Sequence, residues 1–340
     1  MKGVKNCFLG IDISKEWFDV SMIIVTEQGK GNMISEKFSN DKPGFELFTS
    51  WLSLHEVPMN SDTLIVVENT GIYHRMMWEY CSSKNLSLHI GNAARIKWSL
   101  GITRGKTDKA DSQRLCTYCY RYADELKVSA ALDPVILQLK DLVTSRNRLI
   151  SQKNSIKNFL SELKNSNDKA VQKMLEKSHA AALKGLQQSL EQIELQIKKV
   201  VRENMSIKKN YDLLLSVPGI GPVTAVYIIC CTANFASKIS GKQLACYAGV
   251  VPFEHSSGKS IKGKTKVHRM ANKELKKLLH MGARSVTNHH PEFKAYYERK
   301  LKEGKHDLAI INAVRNKIAL RAVAVINKQT KYVDNYKKVA

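Results

Sequence analysis

Phe8-Leu9-Gly10-Ile11-Asp12-Ile13 and Leu64-Ile65-Val66-Val67-Glu68 are two apolar runs of strand length, and each carries a single carboxylate. Burying a lone carboxylate among apolar groups is costly, or raises its pKa, unless something cationic offsets the charge. One such residue reads as a strand-end acid facing solvent. Two apolar strands with the same anomaly are harder to dismiss. If they are parallel neighbours, Asp12 and Glu68 emerge at one sheet edge. Working outward, Gly105-Lys106-Thr107-Asp108-Lys109-Ala110-Asp111 supplies a second pair of acids. Their spacing of three places them on one helix face. Acids in a first turn behind a Thr107 cap also favour the helix dipole. That explains either of them but leaves the strand carboxylates unexplained. Asp12, Glu68, Asp108 and Asp111 together predict an oxygen-rich cage of the kind Mg²⁺ (or Mn²⁺) prefers. Two ions in such a cage can stabilise both the entering and leaving oxygens of an in-line phosphoryl displacement.

The surrounding pattern predicts the scaffold. Strands are expected at Cys7–Ile13, Asp19–Val25 and Asn32–Phe38, then a helix near Gly44–Ser53 and a strand at Thr63–Glu68. A helix near Tyr73–Cys81, a strand at Leu86–Ile90 and helices at Ala93–Leu100 and Thr107–Tyr122 follow. A three-strand meander followed by helix, strand, helix, strand, helix is the order of a ribonuclease-H-like α/β domain, expected over residues 1–125.

Residues 126–208 read as a helical connector. Leu142, Leu149, Ile156 and Leu163 recur every seven residues, while Leu183, Leu186, Leu190, Ile193, Ile197 and Val200 alternate by three and four. These are coiled-coil seams broken at Lys164–Asp168, and pairing within or between chains is open at this level. Residues 209–340 predict a mostly α domain: an apolar helix, a Val217-Pro218-Gly219-Ile220-Gly221 turn, a second apolar helix, a basic glycine-containing loop and further helices. The turn has a helix-hairpin-helix signature. Its glycines, Gly219 and Gly221, permit close backbone approach, and amides at the next helix's N-terminus can hold a phosphate. An ordinary packing hairpin would look the same.

Composition narrows the class of partner. The 340-residue chain is 43% apolar, enough to bury a core. Its 54 basic residues against 31 acids give a net charge of +23, an electrostatic footprint for nucleic acid before membrane. The basic residues cluster: Arg104 and Lys106 lie beside Lys97 and Lys109, and Lys259, Lys262, Lys264, Lys266 and Arg269 form a second group. Met1–Ser14 runs straight into a strand with no signal-peptide pattern, and no apolar stretch approaches membrane-spanning length, so a cytoplasmic protein is expected. Seven scattered cysteines give no disulfide framework. Cys116-x-x-Cys119 has no second pair at zinc spacing, and reads as two buried helix residues. The basic segment Phe253-Glu254-His255-Ser256-Ser257-Gly258-Lys259 holds two serines beside a glycine. A serine can attack phosphorus if the oxyanion and the leaving oxygen are stabilised, with His255 a conceivable base and a solvent-facing histidine the simpler reading.

Five short motifs in one order carry a resemblance: Gly10-Ile11-Asp12, Glu68-Asn69-Thr70-Gly71-Ile72-Tyr73, Lys106 to Asp111, Val217 to Gly221, and Ala248-Gly249-Val250-Val251-Pro252 running into Ser256-Ser257-Gly258. Over nearly its whole length the chain resembles transposases of the insertion sequence one-ten family, kin of the Piv DNA invertase, which include bridge-RNA-guided recombinases. Asn69 departs from the alanine common there. The resemblance implies a RuvC-like domain with the acidic tetrad Asp12, Glu68, Asp108 and Asp111, a coiled coil, and a C-terminal domain with a nucleophilic serine. By motif that serine is Ser257, with Ser256 the alternative. It further implies excision and insertion of DNA through a phosphoserine intermediate, a structured guide RNA, a homo-oligomer (dimer or tetramer), and a bacterial, nucleoid-associated location. The rival readings are a RuvC-like structure-specific nuclease of the Holliday-junction type, in which Ser257 is plain loop, and a catalytically silent nucleic-acid-binding protein.

Overall fold

A computed structural model describes residues 4–69, 71–101, 107–129, 133–163, 168–257, 261–267 and 270–334. The chain divides into two compact units, the boundary falling between residues 132 and 133.

The first unit is built on a mixed sheet. Its strands are β1 (Val4–Ile13), β2 (Trp17–Thr26), the two-residue β3 (Gly29–Lys30), β4 (Ile34–Ser39), β5 (Thr63–Glu68) and β6 (Ser87–Gly91). The order is β3-β2-β1-β5-β6, with β4 also pairing β2. β2 runs antiparallel to β1 and β4, whereas β1, β5 and β6 are mutually parallel. The longer strands thus give the meander and the two later strands that the sequence predicts; those two add in parallel, and β3 is an addition to the pattern.

Residue parity along β1 separates the two faces. Cys7, Leu9, Ile11 and Ile13 join Phe18, Val20, Ile65 and Val67 in a core covered by α1 (Lys42–Leu54) and α2 (Arg75–Ser83), through Phe45, Phe48, Leu52, Met77 and Cys81. The opposite face holds Val66 and Phe8, packed with Ile96 of α3 (Ala93–Ser99) and with Leu115, Tyr118 and Cys119 of α4 (Asp108–Arg121). Parallel strands covered on both faces must be apolar on both, which is why β5 reads as a continuous apolar run until Glu68.

The second unit begins with two long helices, α5 (Pro134–Glu162) and α6 (Lys169–Glu203), started by Asp133 and Asp168, whose carboxylates accept the first free amides. The contacts Arg146–Glu194, Lys153–Gln187 and Phe159–His179 fall as one helix number rises and the other drops, so the pair is an antiparallel hairpin within one chain. Its base is not a free-standing connector. Ile136, Leu139, Val143, Ile197, Val200 and Val201 are part of the core formed by α7 (Met205–Leu215), α8 (Pro222–Cys231), α9 (Gly241–Tyr247), α10 (Lys273–His289), α11 (Pro291–Lys302) and α12 (Asp307–Lys328).

One expectation is corrected here. The basic segment is not simply a loop: β7 (Pro252–Ser257) and β8 (Ile261–Val267) form an antiparallel hairpin. Among the described residues no helix is long and apolar enough to cross a membrane.

Candidate active site

The register of the first sheet brings the two strand acids together. β1 and β5 pair in parallel with Ile11 opposite Val67, so Asp12 and Glu68 occupy the next positions at the same sheet edge. Both share the face of Gly10, which is covered by α4. Gly10 makes that approach possible: a methyl group built there would overlap the backbone of Leu115 and Cys116. The helix is further tied down by the Ser21 and Ser112 hydroxyls, 2.8 Å apart and buried, with Ser21 also 2.8 Å from Ser35. The Cys116 and Cys119 thiols donate to the carbonyls of Phe8 and Leu64, both at 3.3 Å. Burial pushes the Cys116 thiol up to about 12, so this C-x-x-C pair packs a helix and is not poised as thiolate ligands.

With its body fixed, α4 presents its first turn to the strand acids. The Thr107 hydroxyl caps it by accepting from the Ala110 amide at 3.2 Å. Asp108 is exposed, while Asp111 is half-buried and accepts from Arg114 at 2.6 Å. Asp12 feels the whole group. Burial first, then the charges of Asp111, Asp108, Glu68 and Asp19, raise its carboxyl from 3.8 to about 6. A carboxylate whose proton affinity rises among other carboxylates is a place where a cation is welcome.

The cage is not closed, however. Among the described residues no three histidine, cysteine or acidic side chains lie close enough to hold one metal ion. Two forces oppose closure: like charges repel, and Arg114 holds Asp111. The donor set still fits a hard divalent cation, because every member is a carboxylate and Asp12 sits in a field that needs positive charge.

Asp19 belongs to this group, and the sequence reading missed it. It stands directly opposite Asp12 in the β1–β2 register, and its side chain is only 14% exposed. Like charges facing one another across a ladder are destabilising. Lys37, the cross-strand partner of Asp19 on β4, offsets this at 3.8 Å. Burial is the largest influence on Asp19 and raises its pKa, with Lys37 acting in the other direction. The signal in the sequence was slight: an acid in Phe18-Asp19-Val20 resembles the polar half of any alternating strand.

The remaining predicted residues belong to the second unit or lie outside the described residues. Ser257 ends β7 in register with Ile261, and Ser256 is opposite Lys262. Lys262, Lys264 and Lys266 take alternate positions of β8, and Lys266 is exposed. Arg104, Lys106, Lys259 and Arg269 lie outside the described residues. The two turn glycines have different surroundings. Gly219 adopts φ +90°, and a methyl group there would meet Ile318 and Val286 of the core. Its carbonyl rests against Gly282 of α10, where no side chain could be fitted. Gly221 has open space around it and precedes α8 without a side-chain cap. A cleft of about 410 Å³ lined by Gly219, Gly221, Thr224, Met281, Gly282 and Ser285 lies in front of this turn.

A mixed α/β sheet of this order, with acids at the adjoining ends of its central parallel strands and on the helix laid across them, is the arrangement expected of a RuvC-like domain. Comparison with known proteins makes the assignment specific. A DEDD-type transposase model of IS110 elements matches residues 9–164, and the model described as "Transposase IS116/IS110/IS902 family" matches residues 211–298. The pilin gene-inverting proteins of Moraxella bovis and Moraxella lacunata are each 28% identical over 96% of this chain and 97% of their own length. An IS110 insertion-element protein of Streptomyces coelicolor is 33% identical over 32% of this chain and 27% of its own. The chain belongs to the IS110 family of transposases, enzymes that cut and rejoin DNA.

Proposed function

We propose that this transposase cuts DNA with Ser257 as nucleophile and with Asp12, Glu68, Asp108 and Asp111 as a metal-binding tetrad. The observation that carries the reading is the shared electrostatic field at Asp12: four other acids reach a half-buried carboxylate at the end of the central strand. In the cutting step the Ser257 hydroxyl attacks phosphorus, an Oγ–P bond forms and the P–O3′ bond breaks. The proton released by serine ends on the departing 3′ oxygen. Attack by another strand's 3′-hydroxyl reverses these changes, rejoins the DNA and frees the serine. Mg²⁺ or Mn²⁺, when bound, supplies charge stabilisation to the attacking and leaving oxygens. The chain's own part is to position the carboxylates: Gly10 and Ser112 seat α4, and Thr107 starts it at the right residue.

Of the two adjacent serines, the family motif selects Ser257, the one directly before the glycine. Lys262, Lys264, Lys266, Lys259, Arg269, Arg104 and Lys106 hold DNA phosphates in this reading, with Gly221 and the α8 amides as a helix-hairpin-helix contact. From the resemblance, a structured guide RNA supplies target choice by base pairing. The α5–α6 hairpin is the coiled coil of this reading; from the resemblance the protein is a dimer or tetramer in which one subunit's Ser257 serves another's tetrad, and it works at the nucleoid. The test is Asp12→Asn in a strand-transfer assay with Mg²⁺ as the added metal. Loss of transfer by a folded variant is expected, and full activity would overturn the tetrad.

A further inference from the structure

We propose that Arg315, Lys276 and His280, on the facing sides of α10 and α12, form a phosphate-binding site for the backbone of DNA. The case begins with Arg315. It is only 9% exposed, and its Nε has no hydrogen-bond partner. Arginine cannot shed its charge in a protein, so burial leaves a cation that something must offset.

Among the described residues no acid forms an ion pair or hydrogen bond with Arg315. The carboxylate whose charge reaches His280 is Asp307, and it is already occupied. Arg284 grips it with two nitrogens at 2.9 and 2.6 Å, and the Tyr297 hydroxyl donates to it at 2.7 Å. Two further groups, both on α10, feel the charge of Arg315. Lys276 feels Arg315, and burial together with that charge lowers its proton affinity. His280 lies within the fields of Arg315 and Arg284, and its buried Nδ1 lacks a partner. A second arginine of α12 shows the contrast. Arg321 is paired with Glu292 and stacked against Phe293 and Tyr332.

A guanidinium, an ammonium and an imidazole with spare hydrogen-bonding capacity, and no free carboxylate among them, call for an oxyanion with several acceptor oxygens. In an enzyme that handles DNA, the phosphodiester is the anion always present. Placement supports the choice. The same two helices hold the root of the serine hairpin: Asn312 of α12 donates to the Val250 carbonyl at 2.8 Å, and the Asn272 amide before α10 donates to Tyr247 at 2.8 Å. A phosphate held by Arg315 would place a DNA strand alongside the segment that carries Ser257.

The experiment measures binding of a labelled DNA duplex of about 30 base pairs to the full chain in EDTA, across a salt series, so that catalysis plays no part. Arg315→Met, which keeps an unbranched apolar stem, should bind about tenfold more weakly, with the slope of log affinity against log salt reduced by about one. Its melting temperature without DNA should equal or exceed the wild type, because an unneutralised buried charge has been removed. Arg315→Lys should fall between the two in affinity. Unchanged affinity and slope in a stably folded Arg315→Met protein would overturn the proposal. If that variant fails to fold, the half-exposed pair Lys276→Met and His280→Gln is read by the same criteria. Inorganic phosphate that raises the melting temperature through Arg315, with DNA affinity unchanged in the variant, would also overturn it in favour of a free-anion site.

Discussion

Replacing Asp12 by asparagine in the metal-free protein tests the field at the strand edge without any assumption about the reaction. The Asp12 carboxyl is raised from 3.8 to about 6, burial being the largest cause and neighbouring acids the rest. The folded state therefore binds this proton more tightly than the unfolded chain. Below about pH 4 the group is protonated in both states and costs nothing. Between pH 4 and 6 the unfolded chain ionises first, and stability falls as pH rises. Above about pH 6 the whole penalty is present. A rise from 3.8 to about 6 corresponds to a ceiling of about 3 kcal/mol. Asp12 is only partly buried, and screening by water reduces this to about 1–2 kcal/mol. Asp12→Asn should therefore be more stable than wild type at pH 7 by that amount, about 3–8 °C in melting temperature for a unit of this size. The two should converge near pH 4. All four tryptophans, Trp17, Trp51, Trp78 and Trp98, lie in the first unit, so tryptophan fluorescence during unfolding reports on it alone. Added Mg²⁺ should stabilise the wild type at pH 7 and the variant much less. Parallel stability–pH profiles for the two proteins would refute the reasoning.

Other outcomes follow from particular contacts. Gly10→Ala should destabilise the first unit by about 3 kcal/mol or more, because the added methyl meets α4 backbone that cannot rotate away; thermal unfolding measures it, and a loss below about 1 kcal/mol would show that α4 is not seated on Gly10. Neutralising Lys262, Lys264 and Lys266 together should flatten the salt dependence of DNA binding, and an unchanged slope would remove β8 from the DNA contact. Mixing Asp12→Asn with Ser257→Ala protein should restore part of the activity if tetrad and serine are contributed by different subunits. Inactivity after demonstrated subunit exchange would count against shared sites.

The legible part of the molecule was the part written in local pattern. An acid at the end of an apolar strand stands out in one dimension, and the parallel register of β1 with β5 then brings Asp12 and Glu68 to one edge. Asp19 did not stand out, because its importance comes from lying opposite Asp12 across an antiparallel ladder, and pairing register is not written in either strand alone. The heptad leucines of α5 and α6 announced seams but not partners; the cross-helix contacts give the pairing within the chain. The β7–β8 hairpin went unread because its residues are largely basic and polar, so the apolar alternation that betrays a strand is faint. Gly219 was read for its turn, yet half its role is the contact with Gly282, sixty-odd residues away, which no local signal marks.

The central claim, that Ser257 forms the covalent link to DNA, is tested most directly by trapping. A nicked suicide substrate is incubated with the full chain and Mg²⁺, and the DNA-bearing peptide is identified by mass spectrometry. The account predicts a phosphoserine linkage at Ser257, absent from Ser257→Ala and retained by Ser256→Ala. A linkage at Ser256, or strand cutting with no protein–DNA adduct, would contradict it.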